Sequence, residues 1–120
     1  MNTRAIRGAT ALTQDDTAEM SQAVVELLER MLEVNDITSD SLISILFTAT
    51  PDLTCTFPAA AARTLDLKDV PLICAQEIDV PGAMARVVRV MMHVEINKKR
   101  SEISHVYLRG TQALRQDLET

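Results

Sequence analysis

The feature that most narrows what this chain can fold into is one well-bounded amphipathic helix set among short aliphatic runs. Met20, Val24, Leu27, Leu28 and Met31 recur at helical spacing, with Glu26, Glu29, Arg30 and Glu33 interleaved among them. Asp16 followed by Glu19 has capping-box spacing, in an Asp variant of the usual Ser/Thr form, and the helix is expected to end near Asn35. A helix that is apolar on one side must lay that side on another element. The neighbouring runs supply one. Residues 3–9 read as a short strand ending at Gly8, and residues 42–48 as a buried strand stopped by Thr50-Pro51-Asp52. Residues 72–78 form a third, with Pro71 near its start where a missing N–H does least harm. Between them Pro58 begins a short Ala-rich helical turn that reaches Arg63.

Past the third strand the spacing again reads as helix. Asp79 is the expected N-cap, Pro81 falls near the first turn, and Ala83, Met84, Val87, Val88, Met91 and Met92 make the apolar face of a second long helix. Arg89 and His93 lie within it. Lys98-Lys99-Arg100 reads as a solvated loop and residues 103–110 as a final strand. The segment from 111 is a polar tail with Ala113 and Leu114 as apolar anchors, expected to be mobile without ligand. The expected architecture is α/β with an α+β-like arrangement: a mixed sheet covered by two long helices, in one domain over residues 1–120. A sheet covered on one face must bury the other somehow, and self-association is the simplest way. Composition points the same way. Phe47, Phe57 and Tyr107 are the only aromatic residues, so the core is aliphatic and methionine-rich, and a domain of this size gains from extra burial in an oligomer interface.

Charge limits the partners. The net charge is −5, which argues against nucleic acid, because phosphate binding needs a basic field. Residues 1–60 carry three Lys/Arg against nine Asp/Glu, whereas residues 61–120 carry nine against eight, and nine of the twelve basic residues are Arg. Arginine presents a planar, permanently charged fork that matches carboxylates bidentately. These arginines suit a small carboxylate ligand, or are ordinary surface residues; composition leaves both open. Cys55 and Cys74 cannot build a disulfide framework and have no zinc spacing. The N-terminus leads into no signal-like apolar region, and no run is long enough to span a membrane, so a reducing cytoplasm is expected.

The chemistry-bearing residues exclude more than they assign. His93 and His105 sit in no nucleophile motif, three glycines are too few and too scattered for a phosphate loop, and Glu77, Asp79 and a histidine have no recognisable metal spacing. No cofactor is implied. The informative positions are Arg7 before Gly8, Glu77 three residues after Cys74, and Arg89 among apolar neighbours. A guanidinium drawn into apolar surroundings needs a partner. That partner is either Glu77, in a buried salt bridge, or a ligand.

A resemblance bears on that choice. Ile6-Arg7-Gly8-Ala9-Thr10, Ala49-Thr50-Pro51-Asp52-Leu53, Phe57-Pro58-Ala59, Gln76-Glu77-Ile78-Asp79-Val80, Arg89-Val90-Met91-Met92 and His105-Val106-Tyr107-Leu108, with Leu114-Arg115 in the tail, follow in order at near-constant spacing. Through them the chain resembles, over nearly its whole length, the monofunctional chorismate mutases of the trimeric pseudo-α/β-barrel class, often called the AroH type. The resemblance implies a homotrimer with active sites in clefts between adjacent subunits. Residues 57–63 would come from one chain, and Arg7, Cys74, Glu77, Arg89, Tyr107 and Leu114 from its neighbour.

The reaction it implies is the rearrangement of chorismate to prephenate, an intramolecular Claisen process on the route to phenylalanine and tyrosine that exchanges no proton or group with the enzyme. Catalysis then rests on holding the reactive geometry and stabilising separating charge, without nucleophile, metal or cofactor. On this resemblance Arg89 faces the ether oxygen, and Arg7 with Tyr107 clamps the enolpyruvyl carboxylate. Glu77 accepts the ring hydroxyl, with Cys74 beside the ring. Phe57 and Leu114 wall the site, and Arg63 and Arg115 stand near its mouth. The chain departs from the family at Ala60, where a lysine is common, and at Arg109-Gly110, where an acid and a base are familiar. Arg109 either restores positive potential at the entrance or is a solvated surface charge. Two rival readings are a deaminase of reactive enamines on a similar trimer and a non-catalytic sensor of a small carboxylate. Incubation with chorismate separates them.

Overall fold

Asn2–Ala11, at the start of the chain, form strand β1, and β1 meets its antiparallel partner β4 (Val87–Ile96) along its whole length. The computed structural model describes residues 1–118 apart from Lys68, and the backbone alone for 115–118. Strand β2 (Leu42–Ala49) pairs antiparallel with the other edge of β4, β3 (Leu72–Gln76) pairs parallel with β2, and the short β5 (Val106–Tyr107) pairs parallel with β1. The mixed five-stranded sheet runs in the order β3-β2-β4-β1-β5.

Strand register sorts the side chains into two faces. Ile6 and Gly8 on β1, Ile45 and Phe47 on β2, and Val90 and Met92 on β4 are aligned on one face. Helix α1 (Thr17–Val34) covers that face with Met20, Val24, Leu27, Leu28 and Met31, all fully buried. Asp16 caps α1 as expected, accepting a hydrogen bond from the Glu19 N–H at 2.9 Å. The reciprocal half of the box is diverted. The Glu19 carboxylate accepts instead from the N–H groups of Thr13 (2.7 Å) and Gln14 (3.2 Å), closing the turn between β1 and α1. At the other end buried Asn35 donates to the carbonyls of Met31 (2.8 Å) and Ser104 (2.9 Å), tying the helix end to the segment that leads into β5.

The second long helix does not form. Residues 77–86 are an irregular connection with Gly82 at φ +83°, and Val87 onward is strand. Apolar residues at 83, 84, 87, 88, 91 and 92 fit a helical stripe, but Val88, Val90, Met92, Val94 and Ile96 also alternate, and all five are buried, with Val87 buried beside them at the strand's start. β-Branched Val and Ile favour the pleated arrangement, and β4 is the central strand. Asp79 therefore caps no helix, and Arg89 and His93 are strand residues. The only other α-helix among the described residues is α2, the five residues Pro58–Ala62, so the sheet is covered by one long helix and one short one. The expected final strand shrinks to Val106–Tyr107, because Arg109 (φ +53°) and Gly110 (φ +85°) turn the backbone out of the ladder. The expected tail is a 3₁₀ helix, Thr111–Leu118, whose first side chain is buried and donates to the Leu108 carbonyl at 2.7 Å.

Gly8 sets how closely helix and sheet approach. A Cβ there would stand 2.5 Å from the Met31 sulfur and 3.2 Å from a Leu27 methyl. Gly8→Ala is expected to lower stability by about 1–3 kcal/mol, the usual cost of overpacking a filled core. Thermal or urea unfolding checks this; an unchanged midpoint would mean that α1 lifts off the sheet without cost.

Candidate active site

Among the described residues the second face of the sheet carries no helix, and the chemistry-bearing residues gather there. Consecutive register partners make one row across it: Ala75 on β3, Thr48 on β2, Arg89 on β4, Ala9 on β1 and Tyr107 on β5. Neighbouring strands lie about 4.8 Å apart, so Thr48 to Tyr107 spans roughly 14 Å. Ala9 contributes only a methyl between the two long side chains beside it. Arg7 stands two residues along β1 on the same face, in a row with Met91 and Leu46. Glu77 follows β3 directly, its N–H donating to the Ala49 carbonyl at 2.9 Å. Together Arg7, Thr48, Glu77, Arg89 and Tyr107 line a cavity of about 340 Å³ whose apolar lining includes Leu46 and Met91.

At the centre of the cavity Arg89 grips Glu77 with two hydrogen bonds, Nε to Oε2 at 2.9 Å and Nη2 to Oε1 at 3.1 Å. The Thr48 hydroxyl donates to the same Oε2. The Arg89 hydrogen bond holds the Glu77 carboxyl below its usual range; partial burial pushes it up, and the Thr48 bond lowers it further. Glu77 is therefore ionised at neutral pH and can only accept hydrogen bonds. The ion pair is not sealed, with 39% of the Arg89 side chain and 19% of that of Glu77 exposed. Of the two sequence readings of Arg89, the pairing with Glu77 is the one observed, and the pair lines an open cavity.

The supports of this cluster lie in the turn after β2. Thr50 exchanges hydrogen bonds with Val87, two residues before Arg89, through Thr50 N–H to the Val87 carbonyl and Val87 N–H to Thr50 Oγ1, both at 3.0 Å. The Asp52 carboxylate accepts from Thr50 Oγ1 (2.6 Å) and from the Arg86 N–H (3.0 Å). Arg86 has φ +52°, a left-handed conformation that costs a non-glycine residue about 1–2 kcal/mol. The Asp52 contact and the Arg86 bonds to the backbone of Leu12 hold it there. Thr50-Pro51-Asp52, read from sequence only as a strand stop, thus pins the start of β4. On the other side of the sheet the Arg7 N–H donates to His105 Nδ1 at 2.9 Å. His105 is a structural residue that ties β1 to the approach of β5.

Comparison with known proteins decides what this arrangement belongs to. The profile of the family described as "Chorismate mutase type I" matches residues 3–118. The chain belongs to that family. It is 44% identical to the chorismate mutase AroH of Thermus thermophilus, over 98% of this chain and 97% of that protein. It is 41% identical to the AroH of Bacillus subtilis, over 98% of this chain and 94% of that one. A solved chorismate mutase from Clostridium thermocellum superposes with a TM-score of 0.89 at 44% identity, covering 92% of this chain and 98% of its own.

Within this type I chorismate mutase chain, not every residue singled out from sequence reaches the cavity. Phe57, 71% exposed, and Cys74 line a separate cleft of about 550 Å³ beside the turn at 49–58. Cys74 is the register partner of Phe47, so its side chain belongs to the helix-covered face, opposite Arg89. Arg63, the C-cap of α2, lines a third cleft with Leu65 and Val70, and Ala60 is exposed on α2. Leu114 is half-buried in the terminal 3₁₀ helix, and the Arg115 side chain lies outside the described residues. Arg109 pairs with Glu26 (3.2 Å) and Glu19 (3.9 Å) on α1, a surface cation rather than a guard of the cavity. Thr48 is the member that sequence reasoning missed; strand alternation opposite buried Phe47 was the available signal. Among the described residues no three His, Cys, Asp or Glu side chains could share a metal ion, and no helix is long and apolar enough to cross a membrane.

The Glu77 shift has a sign that can be checked. A carboxyl held below its unfolded value stabilises the fold above that value and loses the contribution as pH falls through the folded one. Glu77→Gln is therefore expected to be less stable than the parent near pH 7, with the gap closing in acid, below the ordinary carboxyl value of 4.5. Unfolding midpoints measured across pH decide it; a gap that persists unchanged in acid would contradict the ionised pair.

Proposed function

We infer that this type I chorismate mutase converts chorismate to prephenate by electrostatic preorganisation, in a cavity completed by a neighbouring subunit of a homotrimer. The observation that carries the reading is the Arg89–Glu77 pair on the uncovered face, flanked by Arg7 and Tyr107. Chorismate has two carboxylates, an enol ether and a ring hydroxyl. As the ether C–O bond lengthens, negative charge grows on the ether oxygen and the enolpyruvyl fragment. A cation aimed at that oxygen lowers the barrier, because its attraction is larger in the transition state than in the bound substrate. Arg89 takes this role. Arg7 clamps the enolpyruvyl carboxylate with help from Tyr107, and holding that arm over the ring removes the entropy cost of the compact geometry. Glu77, ionised, accepts the ring hydroxyl and faces the electron-poor ring; it orients and does not abstract a proton.

The neighbouring subunit supplies Phe57 and Arg63, which in one chain stand apart from the cavity. Support comes from the exposed apolar residues on and around the open face, among them Leu46 and Ile73, the latter 65% exposed. Leu114 closes the mouth from the terminal segment. Free Cys55 and Cys74 suit a reducing cytoplasm.

Incubation of the protein with chorismate, followed by prephenate appearance, tests the activity. Replacing Arg89 by its neutral isostere citrulline is expected to lower kcat at least tenfold, about 1.4 kcal/mol of barrier; a smaller loss removes Arg89 from the proposed role. The shared site has its own test. Arg89→Ala and Arg63→Ala proteins, each impaired, are expected to regain activity when unfolded, mixed and refolded together, because mixed trimers contain some intact clefts. No regain on mixing would place the whole site within one chain.

A further inference from the structure

We propose that Thr48 is a positioning residue of this site, its hydroxyl fixing the Glu77 carboxylate in the orientation that receives the substrate's ring hydroxyl. The inference rests on the reading of the cavity as the chorismate site. Glu77 stands just past the end of β3, the outermost strand on that side of the sheet, and its carboxylate turns on a side chain with several rotatable bonds. Such a side chain needs anchoring to act as a fixed acceptor. Arg89 anchors it from β4 and Thr48 anchors it from β2, the strand between them.

The two anchors differ in what turnover asks of them. Arg89 uses Nε and Nη2 on Glu77. When its guanidinium turns toward the ether oxygen, part of that grip is released. Thr48 has no such competing duty. It sits in a strand paired on both sides, directly opposite Arg89 in register, and a β-branched side chain has few χ1 choices. Its hydroxyl is thus a donor of fixed position at the foot of the carboxylate, and an O–H donor to a carboxylate is of the strong, charge-assisted kind.

The charged and titratable groups around Glu77 are Arg89 from β4, Arg7 from β1 and Tyr107 from β5, while Asp79, two residues on, lines a different cleft with Thr50 and Asp52. With Arg89 still paired to it, loss of the neutral Thr48 donor shifts the titration of Glu77 upward and leaves it ionisable. Positioning through Glu77 therefore has a pH signature that a packing role for the threonine methyl lacks.

The experiment starts with the unmodified enzyme and chorismate; no turnover there overturns the reading of the cavity and not the role of Thr48. Given turnover, Thr48→Val is expected to lower kcat about tenfold with KM changed less than about threefold, and to move the acid limb of the kcat profile to higher pH. Thr48→Ser, which keeps the hydroxyl, is expected to restore both. If the valine variant does not fold, Thr48→Ala against Thr48→Ser makes the same comparison. The proposal is overturned if kcat stays within about twofold of the parent, if it falls without movement of the acid limb, or if the serine variant is as impaired as the valine one.

Discussion

The contact between α1 and the sheet at Gly8 is the constraint on which the rest of the structure depends. Because no side chain stands there, Met31 and Leu27 reach the β1 backbone, and α1, with the short α2, fills one face of the sheet with a mostly aliphatic layer. The opposite face is then left free to carry charged side chains. Alternation along β1, β2 and β4 sends Ile6, Phe47 and Val90 into that layer and sends Arg7, Thr48 and Arg89 the other way. The residue pair Arg7-Gly8 expresses both halves at once: the glycine admits the helix, and the arginine before it is thereby aimed at the site.

The helix, the first three strands and the Ala-rich turn were legible because each satisfies one period and has a chemical stop: Asp16 before α1, Thr50-Pro51 after β2, Pro58 at α2. The segment 79–96 was not, because two periods fit the same apolar residues. Which of them wins depends on tertiary context, since β4 has partners on both edges that its own sequence does not contain. The candidate site was legible in its charged members and, through the resemblance, in Tyr107, and opaque at Thr48. Arg7, Glu77 and Arg89 stand out as charges beside apolar neighbours, whereas Thr48 is an ordinary strand residue until register sets it opposite Arg89. Phe57 and Arg63 illustrate the opposite case. Their place in a family pattern is visible in sequence, yet the folded chain keeps them away from the cavity.

The partly exposed state of the Arg89–Glu77 pair bears on how such a site works. In a single chain the pair faces solvent, where screening makes an ion pair weak and an aimed cation a poor catalyst. On the proposed reading, a neighbouring subunit covers the open face and removes water from the same charges. The field of Arg89 at the developing oxyanion then rises as the effective dielectric falls. The same step raises the cost of leaving either charge unmatched, so Glu77 becomes more strictly required as Arg89's partner between turnovers. On the same reading, a fixed hydroxyl at Thr48 offsets part of that cost when Arg89 turns to the substrate. On the proposed reading, oligomerisation and catalysis are one electrostatic device: the fold leaves a sheet face uncovered, and covering it with a second copy gives its charges their strength.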